Sequence, residues 1–143
     1  MRYWDISAVL KLYVTESDSS RFRALASSAG PVVTSGITQS ELFVALQRKE
    51  AAGDLSPATG KIFFQQFETD VAAGRVIILP TPENHARFHG LVRHLYRQQP
   101  PIQLRTLDAL HLCTALLAQA TEIVTTDKRQ SQAAAAFSLQ IFS

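Results

Sequence analysis

Val76-Ile77-Ile78-Leu79 sets four bulky apolar residues in an unbroken row between Gly74 and Pro80. A strand with one wet face alternates apolar and polar residues, because successive side chains point to opposite sides. A run without alternation suits a central strand of a parallel sheet, covered on both faces. Parallel neighbours need long crossover connections, usually helices, so this run calls for an α/β architecture.

The rest of the chain carries such pieces. Tyr3-Trp4 opens a strand ending near Asp5, and Ser7 begins a helix behind it. Asp18–Ala29 reads as a helix stopped by Gly30-Pro31, and Pro31-Val32-Val33-Thr34 as a short β-branched strand. Thr38–Ala51 has helical spacing at Leu42, Ala45, Leu46 and Lys49 and ends at Gly53. Ser56 is expected to cap the next helix, with Pro57 at its first position and Ile62, Phe63, Phe67 and Val71 on its apolar side. After the apolar run, a helix is expected from about Pro82 to Gln98, then a Pro100-Pro101 loop and a helix containing Asp108. Glu122–Thr125, Arg129–Ala136 and Leu139–Phe142 complete the series as strand, helix and strand. The alternation predicts a mainly parallel sheet of about five strands in a single domain over residues 1–143.

Composition narrows the class. Of 143 residues, 46% are hydrophobic and 18% charged, enough apolar content to build a core. The lone cysteine, Cys113, excludes an internal disulfide. The most apolar long window, Leu107–Val124, contains Asp108, His111, Gln119 and Glu122, too polar for a bilayer span. Asp5 interrupts the N-terminal apolar run, which argues against a signal peptide, so a cytoplasmic protein without membrane association is expected. A formal charge of +2 names no partner. Between Glu83 and Asp108, however, there is no acid, while His85, Arg87, His89, Arg93, His94, Arg97 and Arg105 fall there. That segment suits either phosphate contact or the solvated face of one helix.

In open sheets, ligands gather beyond the carboxyl ends of the strands. Asp5 follows the first strand, and Asp127 follows Ile123-Val124-Thr125. Glu41 is expected in the first turn of the helix after the second strand, and Asp108 in the first turn of its own helix. Each has a local explanation. Thr38-Gln39-Ser40-Glu41 fits a capping box, and Thr106 can cap the helix in which Asp108 meets the positive end of the dipole. Asp127 can itself cap a helix, and Asp5 can be a turn residue. Four carboxylates at one sheet edge nevertheless repel one another, and a hard cation such as Mg²⁺ or Mn²⁺ resolves that conflict through oxygen ligands. Competing chemistries lack their motifs: there is no GxGxxG, no Walker loop, no second cysteine for zinc and no GxSxG.

YWDISAVLKLYVTE, SGITQSELFVAL, LRTLDALHLCTAL and IVTTDKR together resemble the PIN-domain ribonucleases, closest to the VapC-type toxins of bacterial toxin–antitoxin pairs. The likeness spans Tyr3 to about Ile141. It implies a three-layer α/β/α sandwich and a Mg²⁺ or Mn²⁺ site. Asp5, Glu41, Asp108 and Asp127 match the family's acidic positions, with Asp5, Asp108 and Asp127 as metal ligands and Glu41 completing the shell or orienting the nucleophile. Ser7 and Thr125 match supporting hydrogen-bond positions, and His111 falls in the phrase DALH, where a packing role is assigned to it. Ile6 stands where a small hydroxyl residue is frequent, and Phe137-Ser138-Leu139 where the family often has glycine.

The implied reaction is metal-assisted hydrolysis of RNA, giving 5′-phosphate and 3′-hydroxyl ends. Lys128, Arg129 and Arg105 are candidate phosphate contacts. Phe63, Phe64, Phe67 and Phe88 read as core or dimer surface, not base-stacking platforms. The resemblance further implies a homodimer and an antitoxin partner, both engaging a hairpin of residues 38–51 and 56–73, with an antitoxin arginine competing for the acidic pocket. Two rivals stand beside this reading. A metal-dependent phosphatase would want Asp-x-Asp after the first strand, where the chain has Asp5-Ile6-Ser7. A non-catalytic RNA- or protein-binding module would share the fold.

Overall fold

The computed structural model describes residues 1–28 and 30–143. Five strands, β1 (Arg2–Trp4), β2 (Val32–Ser35), β3 (Val76–Leu79), β4 (Glu122–Val124) and β5 (Gln140–Phe142), form one sheet. Every pairing is parallel, in the order β3-β2-β1-β4-β5. The helices are α1 (Ile6–Tyr13), α2 (Ser19–Ser28), α3 (Gly36–Ala51), α4 (Thr59–Ala72), α5 (His85–Tyr96), α6 (Thr106–Leu117) and α7 (Lys128–Ala135). Ala29, the expected last residue of the second helix, lies outside the described residues.

The period-2 geometry of the strands divides the core into two layers. Tyr3 and Ile123 point to one face, where they pack with Leu91 and Leu95 of α5, Leu112 of α6 and Ala133 of α7. Trp4 and Val124, their immediate neighbours, point to the other, against Val9 of α1, Phe22 of α2, Leu42 of α3 and Phe67 of α4. Helices on both faces of a parallel sheet make the three-layer α/β/α sandwich expected from the alternation of elements.

The central strand is the short β1, and the apolar run of β3 is an edge. Val76 is buried, but Ile77 is 42% exposed. Helix α4 packs on β3, whereas α5 leaves the strand to pack against α6, so the outer side of Ile77 stays open. The starts of α3, α4, α5 and α6 also differ from expectation. Helix α3 begins at Gly36, with Ser35 at its cap, so Thr38 is already helical and no capping box forms. Thr38 is buried instead, its hydroxyl 2.6 Å from that of Thr34. Glu41 therefore sits in the second turn, outside the reach of the first-turn amides. Ser56 and Pro57 form a turn ahead of α4, whose cap position is Ala58 with a left-handed backbone. Arg105, not Thr106, precedes α6, and Pro82 lies outside α5. Ser138, at the position where the likeness has glycine, takes φ +61°, the left-handed conformation glycine favours.

The strand order places a topological switch beside β1. The chain runs from β1 through β2 to β3 on one side, then returns to add β4 and β5 on the other. The crevice beyond the carboxyl ends of β1 and β4 is where such sheets bind ligands. Asp5 N–H donates to the Val124 carbonyl at 3.0 Å, which ties the end of β1 to β4 there.

Candidate active site

Asp5 stands at the cap position of α1 yet makes no side-chain cap bond. Its carboxylate turns to β4 instead: Oδ2 accepts hydrogen bonds from Ser7 Oγ and Thr125 Oγ1, each at 2.8 Å. Ser7 Oγ in turn accepts from the Thr126 amide at 2.9 Å, and Thr125 Oγ1 from the Asp127 amide at 3.1 Å. Two hydroxyls, each oriented by a backbone N–H, fix one oxygen of a carboxylate that is only 2% exposed. The other oxygen, Oδ1, has no hydrogen-bond partner. Burial pushes the Asp5 carboxyl above the ordinary aspartate value. The charge of His111 and the hydroxyl bonds from Thr125 and Ser7 offset this only in part.

Glu41 reaches the same pocket from α3. Its Oε2 lies 2.6 Å from Nε2 of His111, a fully buried side chain on α6. The other imidazole nitrogen, Nδ1, lies 2.6 Å from the Tyr3 hydroxyl and 3.3 Å from Ser35 Oγ. His111 Nε2 is also 4.0 Å from the orphaned Oδ1 of Asp5. Burial works against protonation of His111, but the Glu41 hydrogen bond and the charges of Asp5 and Glu41 outweigh it and raise its pKa. Packing alone does not describe this residue. It joins α6 to β1 and α3 through polar bonds, and it escaped sequence reading because its partners are far along the chain.

Asp108 and Asp127 complete the set, Asp108 buried and Asp127 more open. Asp108, in the first turn of α6, pairs with Arg105 Nε at 2.9 Å. Its backbone carbonyl accepts from the buried Gln130 side chain at 3.1 Å, which holds α6 against α7. Asp127 caps α7, with Oδ1 accepting from the amides of Arg129 at 2.7 Å and Gln130 at 3.1 Å. Its Oδ2 remains 3.9 Å from Arg105 Nη2. Arg105 therefore lies between two acids while its own side chain is 73% exposed. A cleft beside them is lined by Glu41, Val44, Arg48, Arg105, Leu107 and Asp108.

The structure thus brings Asp5, Glu41, Asp108 and Asp127 to one sheet edge, with Ser7 and Thr125 on Asp5. Lys128 and Arg129 are exposed at the start of α7. Of the acid-free segment, Arg105 alone pairs with these acids among the described residues. His94 stacks on Phe137 beyond the C-terminal end of α7, at the opposite sheet edge.

Two observations bear on a cation. The donor set is entirely carboxylate oxygen, the preference of a hard divalent ion. The buried Oδ1 of Asp5 lacks any partner, as a ligand atom would before its ion arrives. These residues suit such an ion in their chemistry, but among the described residues no three His, Cys, Asp or Glu side chains stand close enough together to hold one. His111 and Arg105 stand among the acids and balance their charge.

A family description reading "PIN domain" matches residues 3–136 of the chain. Among solved structures, FitAcB from Neisseria gonorrhoeae superposes with a TM-score of 0.71 at 21% sequence identity, covering 100% of this chain and 97% of that one. No curated protein sequence matches. Among the described residues, no helix is long and apolar enough to cross a membrane.

Proposed function

The chain belongs to the PIN-domain family, whose members are in general nucleases, and on that premise we propose that it is a Mg²⁺- or Mn²⁺-dependent endoribonuclease, the toxin of a VapC-type toxin–antitoxin pair. One observation carries the reading: a buried carboxylate, Asp5, is held by two hydroxyls on one oxygen and left without a partner on the other, beside three further acids. A structural aspartate would satisfy both oxygens.

Asp5, Asp108 and Asp127 would hold the cation. When bound, the ion would polarise a non-bridging phosphate oxygen, favour deprotonation of a water and stabilise the charge on the leaving oxygen. Glu41, anchored through Oε2, would use its other oxygen to accept a proton from the attacking water. The water oxygen would bond to phosphorus as the bond from phosphorus to the 3′ oxygen breaks, and the departing 3′ oxygen would take a proton from solvent, leaving a 5′-phosphate and a 3′-hydroxyl while Glu41 returns its proton to solvent. Ser7 and Thr125 keep Asp5 from rotating. Arg105, exposed and paired to the acids from outside, would exchange those partners for substrate phosphate, with Lys128 and Arg129 as further contacts.

The proposal extends to a cytoplasmic setting and to action as a homodimer, with residues 1–143 forming one PIN-like domain. The cleft with exposed Val44 and Leu107 beside Arg48 and Arg105 suits an antitoxin segment that is apolar on one side and acidic on the other.

Purified protein should cleave total RNA with Mg²⁺ or Mn²⁺, stop in EDTA, and yield 5′-phosphate ends without 2′,3′-cyclic phosphate. Asp108→Asn should lose that cleavage. Equal cleavage by both proteins would place the active centre elsewhere, and RNA binding without turnover would indicate a binding module.

A further inference from the structure

At the sheet edge, His111 is fully buried and bonded at both ring nitrogens. It lies three residues after Asp108 on α6, hence on the same helix face. The imidazole spans from Tyr3, the middle residue of the central strand, to the second turn of α3. Residue Tyr3 is fully buried as well, with its hydroxyl aimed at Nδ1.

The protonation pattern follows from the partners. In neutral imidazole, the Tyr3 hydroxyl donates to Nδ1 and the proton resides on Nε2. In imidazolium, Nδ1–H donates to the Tyr3 oxygen and Nε2 is again protonated. In either form Nε2–H faces Glu41, whose carboxylate can only accept. One oxygen of Glu41 is thereby occupied, and rotation of its carboxylate is resisted by a donor that cannot itself move inside the core.

We propose that His111 is a positioning residue, with Tyr3 fixing its ring and its Nε2–H presenting Glu41 to the acidic pocket through the 2.6 Å bond. The proposal rests on the reading of Glu41 as the group that orients the attacking water. Charge balance alone would be served by a flexible cation at the surface, as Arg105 shows. A buried ring held at both ends supplies direction as well. Ser35 Oγ, 3.3 Å from Nδ1, closes the remaining side of the ring.

The test combines nuclear magnetic resonance of ¹⁵N-histidine-labelled protein with steady-state cleavage of an RNA oligonucleotide. His111 should show a slowly exchanging Nε2–H proton, and Glu41→Ala should shift or broaden that signal. His111→Ala should lower kcat by about 10- to 100-fold, with KM changed by less than about twofold. His111→Gln, which retains an N–H donor, should recover most of that loss. Tyr3→Phe should leave a folded protein with faster exchange of the Nε2 proton and a smaller fall in kcat. A proton found only on Nδ1, or a signal indifferent to Glu41→Ala, would overturn the proposal, as would His111→Gln no more active than His111→Ala. The labelled-histidine measurement needs no turnover. A connected Nε2–H in a protein that does not cleave RNA supports the placement of Glu41 and refutes the nuclease reading instead.

Discussion

Asp5 and Asp70 are both aspartates largely removed from water, at opposite edges of the same sheet, and folding treats them in opposite ways. Asp70 ends α4 just before β3, at the amino edge. It accepts hydrogen bonds from Tyr13 Oη at 2.8 Å, Gln66 Nε2 at 3.0 Å, and Arg75 Nε and Nη2 at 3.0 and 2.7 Å. Burial opposes its charge, but those donors prevail and its pKa is lowered. Asp5, at the carboxyl edge, has two hydroxyl donors, one orphaned oxygen and a raised pKa. The amino edge uses carboxylates to hold α4 and the segment after α1 to α1: Asp70 binds Tyr13, and Lys11 pairs with Glu16 at 2.6 Å and Asp18 at 2.7 Å. The carboxyl edge keeps a charge that the fold alone does not reward. Such a difference is expected where a site is kept for a ligand at some loss of stability.

The largest expected contrast is catalytic. Asp5→Asn should reduce RNA cleavage by about 100-fold or more, the scale of losing one electrostatic partner of the transition state. Asp70→Asn should stay within about twofold of wild type in the same assay. A comparable loss in both would dissolve the distinction between the edges.

The next contrast is in stability. Asp70→Ala leaves the Tyr13 hydroxyl and the Arg75 guanidinium without their acceptor and should cost about 2 kcal/mol in urea unfolding. The figure is kept low because Arg75 is 59% exposed and water can replace part of the pair.

Acid titration should separate the edges further. The folded pKa of Asp70 lies below 3.8, and that of Glu16, held down mainly by its hydrogen bond to Lys11, lies below 4.5. The unfolded chain therefore binds more protons in this range. Their stabilisation is fully present above the ordinary values and is lost as pH falls through the folded ones. Urea midpoints measured from pH 6 down to pH 3 should drop, and the drop should be shallower in Asp70→Asn. An unchanged slope in that variant would remove Asp70 from the acid-sensitive set.

The smallest effect belongs to Arg105. Being mostly exposed, its pair with Asp108 should contribute about 0.5 kcal/mol, so Arg105→Gln should barely shift unfolding. Mn²⁺ affinity, followed by calorimetry, should instead rise a few-fold because a competing cation has gone, and 0.5 M salt should shrink that gain. Weaker Mn²⁺ binding in the variant would show that Arg105 does not oppose the ion.

Asp5, Asp108 and Asp127 were legible in the sequence because their placement is local: a strand end or a helix start sets the edge on which each side chain falls. Glu41 falls on the expected edge although it sits in the second turn of α3 rather than the first. The capping box, its local explanation, does not form, since Gly36 starts the helix two residues before Thr38 and Thr38 is buried in the core. The sheet order was less legible. Val76–Leu79 reads as the most buried strand but forms an edge, while the central β1 is three residues whose Tyr3 and Trp4 face opposite layers. Apolar content reports what could be covered, and tertiary packing decides what is. His111 was hidden for a related reason. Its partners Tyr3 and Glu41 lie 108 and 70 positions away, and no periodicity within α6 distinguishes a hydrogen-bonded histidine from a packed one.

On this reading, Asp5 carries a charge that the fold holds for a cation rather than for itself. Thermal unfolding of wild type and Asp5→Asn, each in EDTA and in excess Mn²⁺, tests it directly. In EDTA the variant should melt higher, by about 3–6 °C for a gain near 1 kcal/mol, and Mn²⁺ should stabilise wild type alone. A variant that melts below wild type in EDTA, or that gains as much from Mn²⁺, would contradict the account.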